Sequence, residues 1–422
     1  MIFQVTGRPE NYGEKEFVLK GEIYRTCLCS DALRKHLEQE GKRAKLTIFV
    51  PESLPINSSL DDVNRTIREK GIQNFESVVI PSVGKYSQKG GEFRGSIEAI
   101  TTAIFLHFLK NRPDEFYIDI STGFNVYPVS LLEAAKRYLT YRKLEGMLQE
   151  KSDFKAYILF SPPIMRDSHS LGDIDRYYAE IQPFDVKAFF SLPRPEIDKI
   201  ASGKQKEKLA ELNKKGHELK NKFRSMFGEL KLAYNAIRFN VPLAFYEMLE
   251  FTVAVDEMER EIIAFVEGFL EPIKEGDVVE RLKIDGVNIA NIFYTLALYR
   301  SIKEFAESLS EPELGEIKEK FSSLYRVKNM GVGVNEYFLL REVEEIRGKA
   351  EKIGDGAELI LGKLIHGEEF KETSGISKRN FFAHSGFLQN WTVVKKEKGK
   401  IYLRWVEDAK KEIKNWLLEP EK

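Results

Sequence analysis

Cysteine is nearly missing from this chain, which has two, Cys27 and Cys29, in 422 residues. Two thiols exclude a disulfide framework and are too few for a cysteine zinc site without outside ligands, so both are expected as small buried residues. Histidine, methionine and tryptophan are also scarce, at six, seven and three. Lys and Glu are used heavily instead, a composition suited to work at high temperature. No run approaches the roughly 18 apolar residues of a membrane span. Met1-Ile2-Phe3-Gln4-Val5 enters a strand without a charged leader, so the expected location is cytoplasmic with no membrane partner. Lysine plus arginine nearly balance aspartate plus glutamate, 65 against 66. No global basic field marks a nucleic-acid binder, and any RNA contact has to be local.

What is present is a chain with 42% hydrophobic residues, long enough for two or three domains. Its first part alternates two kinds of segment. Short apolar runs at Ile2–Val5, Leu46–Val50, Val78–Ile80, Phe116–Ile120 and Ala156–Phe160 read as strands. Between them, Cys27–Leu37, Leu60–Lys70, Ser96–Leu109 and Val126–Tyr141 carry apolar residues at helical spacing. Such alternation predicts a doubly wound parallel sheet, an α/β unit whose ligands bind at the carboxyl ends of the strands. Pro183, Pro193 and Pro195 mark a boundary, and beyond it the pattern is helical. Ile197–Phe227, Pro242–Phe269, Val287–Ser310, Glu336–Ile353 and Ala357–Ile365 are expected helices. A hairpin, Trp391–Val394 with Ile401–Trp405, interrupts them. The Lys204–Lys222 charge run reads as a solvated helix face.

Two constellations carry chemistry. In Arg379-Asn380-Phe381-Phe382-Ala383-His384, Asn380 and His384 are four apart and share a helical face, with the Arg379 arm long enough to reach the same place. Cleavage of a phosphodiester by its own 2'-hydroxyl needs a proton carrier and a fixed positive charge, which His and Arg supply without a metal. The bland alternative is that His384 is a packed surface histidine. In Asp119-Ile120-Ser121-Thr122-Gly123-Phe124-Asn125 a strand meets a small polar turn and then a helix start, an arrangement that offers N–H groups to an anion. Thr122 and Asn125 add side-chain hydrogen bonds, and Asp119 can orient the turn or accept from a ribose. An ordinary turn capped by Asn125 has the same pattern. Thr6-Gly7-Arg8 and Ser82-Val83-Gly84-Lys85 should reach the same sheet edge, each placing a cation beside a glycine, and Arg94 can contribute similarly. Solvated loop charge is the alternative for Arg8, Lys85 and Arg94.

With these two motifs in this order, the chain resembles the CRISPR-associated ribonucleases of type III systems that join an N-terminal CARF domain to a C-terminal HEPN domain. Asp119–Asn125 resembles the CARF Asp-x-Thr-His-Gly-x-Asn turn, with Thr122 where relatives often have His. Arg379–His384 resembles the HEPN Arg-x(4–6)-His motif in its Arg-Asn form. The resemblance implies a Rossmann-like CARF domain over 1–185, a helical linker over 186–240 and a helical HEPN domain with a small β-hairpin over 241–422. It implies catalytic Arg379, Asn380 and His384 with no metal. The implied ligand contacts are Gly7, Arg8, Lys85, Arg94, Asp119, Ser121, Thr122, Gly123 and Asn125. It further implies a homodimer that binds cyclic oligoadenylate on its two-fold axis and is thereby switched to cut single-stranded RNA. A two-fold phosphate count favours cyclic tetra-adenylate over hexa-adenylate. Thr122, Asn125 and Lys85 are the candidates for slow cleavage of that activator. The rivals are a ligand-sensing transcriptional regulator and an inactive HEPN scaffold.

Overall fold

The computed structural model describes residues 1–55, 59–86, 91–122, 125–149, 154–161, 192, 195–203, 205–327, 330–371 and 377–420, with the backbone of 172–173 and 179–180. Gly123, Phe124, Ser374–Ile376 and most of the expected boundary before Pro195 lie outside these residues.

Leu46–Pro51 is buried along its whole length, as is Ile2–Val5. Strands apolar on both faces belong inside a parallel sheet covered on both sides. They lie in a six-stranded sheet ordered Ala179–Glu180, Lys155–Leu159, Glu115–Asp119, Ile2–Val5, Leu46–Pro51, Phe75–Ile80. Every neighbouring pair is parallel except the Ala179–Glu180 edge. Leaving that edge aside, the order is that of a Rossmann fold, with its reversal between Ile2–Val5 and Glu115–Asp119.

One face of the sheet is covered by Cys29–Gln39 and Leu60–Glu69, which bury Leu33, Leu37, Val63 and Ile67 against Ile48 and Val50. Leu60–Glu69 starts at a capping box in which Ser59 and Asp62 satisfy each other's backbone N–H. The other face is covered by Ile97–Asn111 and Val126–Glu145. There the core does not stop at the domain. It continues from Phe3, Phe108 and Tyr138 into His217–Arg238, Val255–Leu270 and Gly286–Glu307 as one hydrophobic cluster. Phe105 meets Phe293 edge-on at 5.6 Å across this junction.

The helical half departs from its sequence reading in four places, the first being Pro242–Phe269, which is not one helix but two, Ala244–Glu247 and Val255–Leu270. Ile197–Phe227 is not one helix; Lys206–Lys215 and His217–Arg238 are separated at Gly216, where the Phe265 ring occupies the space of a Cβ. Ala357–Ile365 begins as a strand, Glu358–Ile360, paired antiparallel to the hairpin Thr392–Glu397 and Lys400–Trp405, and is helical only over Leu361–His366. Leu314–Arg326 is an additional helix that buries Ile317, Phe321 and Leu324. His217–Arg238, which falls wholly in the expected linker, is part of the C-terminal core, and Asn235 Nδ2 donates to the Leu417 carbonyl at 2.7 Å.

Candidate functional site

Ligands of a doubly wound sheet bind outside the strand ends at the order reversal. Here that position is held by the loops after Val5 and Asp119. Asp119 is 1% exposed, and its oxygens accept from the backbone N–H of Ser121 at 2.8 Å and of Ser30 at 2.9 Å. Burial pushes its carboxyl pKa up, and the bonds from Ser121 and Ser30 oppose that. Asp119 therefore shapes the turn from beneath, the first of its two expected roles. Thr122 donates to the Val5 carbonyl at 3.1 Å and accepts from Gln4, whose other amide atom accepts from the Ser30 hydroxyl. Ser121 Oγ accepts from the Ser161 N–H at 2.8 Å. Asn125 is exposed at the start of Val126–Glu145 and makes no side-chain capping bond there, since its own backbone is already helical.

The Thr6–Arg8 loop reaches the same edge, but Gly7 does not present its N–H outward. It donates to the Tyr12 hydroxyl at 3.1 Å, which also lies 2.6 Å from Thr6 Oγ1. Burial pushes the Tyr12 phenol up to about 12. Arg8 is exposed and has no ion-pair partner among the described residues. Lys85 and Arg94 are carried by a second, smaller sheet. Gly84–Tyr86 and Gly91–Arg94 pair with each other, and Gly91–Arg94 pairs parallel to Val278–Glu280 in a separate four-stranded sheet. Arg94 is bonded to Glu92 at 2.9 Å, and Lys85 stands opposite the same Glu92. Among the described residues no hydrogen bond or ion pair joins Lys85 or Arg94 to Ser121, Thr122 or Asn125. The loop leading to Lys85 is nevertheless tied to the helix after the turn, because Tyr127 donates to Ser82 Oγ at 3.0 Å.

In the C-terminal half, the Ser377 hydroxyl caps a helix that runs only over Lys378–Ala383, accepting from the Asn380 N–H at 3.2 Å. His384 is the residue that ends this helix, so the expected two-turn helix stops one residue short of it. The stop is enforced by left-handed backbone at Ser385 and Gly386, with φ of 54° and 78°. A side chain at Gly386 would meet Val241 Cγ1 at 2.7 Å, so only glycine fits. Phe381 is fully buried among Phe382, Trp405 and Trp416, while Arg379 and His384 remain exposed. Phe381 thus anchors a short platform whose polar side faces out. Arg379 has no ion-pair partner among the described residues.

One residue of this site was not anticipated. Glu342, on Val334–Ala350, lies with Oε2 3.2 Å from His384 Nδ1 across 42 residues of sequence. Its other oxygen accepts from Arg341 at 3.0 Å. Burial pushes the Glu342 carboxyl up, but the bonds from His384 and Arg341 outweigh it and leave the pKa below its usual value. The same bond holds the His384 pKa above its usual value against partial burial. A signal for Glu342 was present in the sequence. It occupies the stripe of Asn335, Leu339 and Ile346, all buried, where a carboxylate needs a partner.

The two halves define a sensor joined to an effector, one with its polar residues gathered at a sheet reversal and the other with a cation and an imidazole held outward. Comparison with known families gives the pair a name. Residues 1–163 match the model described as CRISPR system endoribonuclease Csx1, CARF domain, and residues 332–408 match that described as CRISPR system endoribonuclease Csx1, HEPN domain. No curated protein matches the chain. The chain belongs to the CARF–HEPN family of CRISPR-associated ribonucleases, whose nuclease is regulated by ligand binding. Among the described residues no helix is long and apolar enough to cross a membrane.

Proposed function

We propose that this protein is a metal-independent endoribonuclease of type III CRISPR defence, switched on by cyclic oligoadenylate and acting on single-stranded RNA as a homodimer. The observation that carries the reading is the platform Lys378–Ala383, which buries Phe381 and leaves Arg379 and His384 exposed with His384 braced by Glu342. The RNA 2'-hydroxyl attacks the adjacent phosphorus and gives its proton to a neutral imidazole. The 5'-oxygen leaves with a proton from an imidazolium, which yields a 2',3'-cyclic phosphate and a 5'-hydroxyl. His384 of each subunit supplies one of these two imidazoles in a shared cleft. Arg379 carries the charge that develops on the phosphorane, and Asn380 orients the phosphate or the ring.

Residues 1–185 form the sensor in this reading and 241–422 the nuclease, with 186–240 joining them and packing its helix His217–Arg238 into the nuclease core. The activator sits on the two-fold axis, with Arg8, Ser121, Thr122 and Asn125 of each subunit toward its phosphates. Cyclic tetra-adenylate suits two such sets better than hexa-adenylate does. Its binding biases the relation of the subunits, and the core shared by both halves passes that bias to the nuclease cleft.

A fluorogenic single-stranded RNA, incubated with no ring, cyclic tetra-adenylate or cyclic hexa-adenylate, tests the reading. Cleavage should require a ring, prefer the tetra-adenylate, survive EDTA and disappear in His384→Ala. Cleavage abolished by EDTA, or unchanged in His384→Ala, overturns the chemistry; failure of both rings to bind by calorimetry overturns the sensor. The ring recovered after long incubation reports whether the activator is also opened, a second activity that Thr122, Asn125 and Lys85 would have to share.

A further inference from the structure

A histidine that moves protons must present one particular ring nitrogen, and a bare imidazole on a surface helix does not choose. At this site the backbone of His384 is already fixed. Asn240 Nδ2 donates to Ser385 Oγ at 2.7 Å, Gly386 closes onto Phe381 through a backbone bond, and the turn between them is left-handed. What remains free is the ring, and Glu342 meets it. The Glu342 side chain is 8% exposed against 47% for His384, so the carboxylate stands on the protein side of the ring and solvent on the other. A carboxylate is an acceptor, so the nitrogen facing it, Nδ1, carries a proton.

We propose that Glu342 is a positioning residue for RNA cleavage: it accepts from Nδ1–H of His384 and thereby leaves Nε2 as the nitrogen that meets the RNA. The inference rests on the nuclease reading above. In the neutral ring Nε2 has the lone pair that takes the 2'-hydroxyl proton; in the imidazolium Nε2–H gives a proton to the leaving 5'-oxygen. Nδ1–H stays with Glu342 in both steps. Arg341 holds the second carboxylate oxygen and so keeps the acceptor aimed. The raised imidazole pKa agrees with this geometry, since the bond to Glu342 outweighs burial and Arg341, with Glu345 adding to the rise. Of the other cations on these elements, Arg379 lies on the same short helix and Lys378 is bonded to the Glu419 carbonyl. Arg238, on the packed helix His217–Arg238, lies over the ring of Phe239, which contacts Phe382.

The test pairs ring-nitrogen NMR of histidine-labelled full-length protein with pH profiles of kcat, in wild type, Glu342→Gln and Glu342→Asp. Wild type should show the neutral His384 ring protonated on Nδ1 and titrating above 6.5, its ordinary value. Glu342→Gln should lower that pKa, mix the two tautomers and reduce kcat about 10- to 100-fold, by analogy with the loss when the hydrogen-bond partner behind a metal-ligating histidine is removed. The pH profile of kcat should move down with the imidazole while KM stays put, and Glu342→Asp should recover part of the loss. An Nε2–H tautomer in wild type overturns the proposal even if the variants fold poorly. A kcat profile that ignores the imidazole shift overturns it too. Cleavage lost in His384→Ala but unchanged in Glu342→Gln removes this inference alone; cleavage that survives His384→Ala removes the nuclease reading with it.

Discussion

His107 and His384, one in each half, are the same side chain in two environments. His107, on Ile97–Asn111, faces the sheet, with its ring 5.9 Å from Phe3 and 5.2 Å from Phe49, both edge-on. Asn111 Nδ2 lies 3.2 Å from its Nε2. Burial drives its pKa down to about 4, so it is neutral in the cell's pH range. His384 stands half out of the protein with a carboxylate behind it, and its pKa moves the other way. Desolvation that outweighs the charge of Glu76 keeps the His107 ring neutral, whereas a carboxylate bonded to a wet ring keeps His384 protonatable. Apolar surroundings decide the first and a single buried glutamate the second.

Whether the halves can be treated separately at all is the sharpest test of this contrast, and it carries the largest expected effect. Arg300, 12% exposed, bridges Glu145 of Val126–Glu145 to Glu259 of Val255–Leu270, the latter at 2.9 Å. Tyr141 donates to the same Glu259 at 2.6 Å. Arg112 also reaches Glu259, at 3.3 Å, so Arg300→Ala leaves the two carboxylates partly compensated. The expected loss is about 3 kcal/mol, the low end for removing one member of a buried ion cluster. Urea unfolding followed by tryptophan fluorescence, which reports the C-terminal half, and by circular dichroism should show both midpoints falling together. An unchanged midpoint would mean that the halves join loosely and that coupling needs another route.

Equal to it in size is the chemistry itself. His384→Ala should lower the activated cleavage rate by about 10²–10³ or more, with a small change in melting temperature because the ring is half exposed. His107→Gln should do the reverse, leaving activated cleavage alone and changing stability through pH. The folded pKa of His107 lies below its ordinary value of 6.5, so the unfolded chain binds the extra proton as pH falls between 6.5 and 4. Stability contributed by the neutral ring is therefore lost across that window, by up to roughly 3 kcal/mol. Melting curves of wild type and His107→Gln should diverge in slope there and run parallel above pH 7. Parallel curves throughout would show that the His107 ring is hydrated.

The sensing half was largely legible because its strands are short apolar runs and local pattern decides them. Ile2–Val5 was read with its observed limits and Leu46–Val50 missed only Pro51. What escaped reading is what distant segments decide. Gly91–Arg94 pairs with Val278–Glu280, so Arg94 belongs to an inter-half sheet and not to a helix start. Gly7, an implied ligand contact, gives its N–H to the Tyr12 hydroxyl. In the helical half, spacing alone put Asn380 and His384 on one face, but the left-handed turn at Ser385 and Gly386 ends the helix first. Glu342 was visible as a carboxylate on an apolar stripe, though nothing local named His384 as its partner.

The smallest expected effect isolates that partner. Glu342 titrates below its ordinary 4.5 and His384 above its ordinary 6.5. A carboxylate with a lowered folded pKa contributes stability above 4.5 that is lost as pH falls through the folded value. An imidazole with a raised folded pKa contributes stability below 6.5 that is lost as pH rises through its folded value. Both conditions hold together between pH 4.5 and 6.5, so the pair stabilises most in that window. Because His384 is 47% exposed, the gain is screened and should stay within about 1 kcal/mol. The difference in unfolding free energy between wild type and Glu342→Gln, plotted against pH, should form a low plateau there and decline on both sides. His107 titrates across the same range but is present in both proteins and cancels. A difference that rises steadily to pH 9 would show that Glu342 is held by Arg341 alone and that His384 owes it nothing.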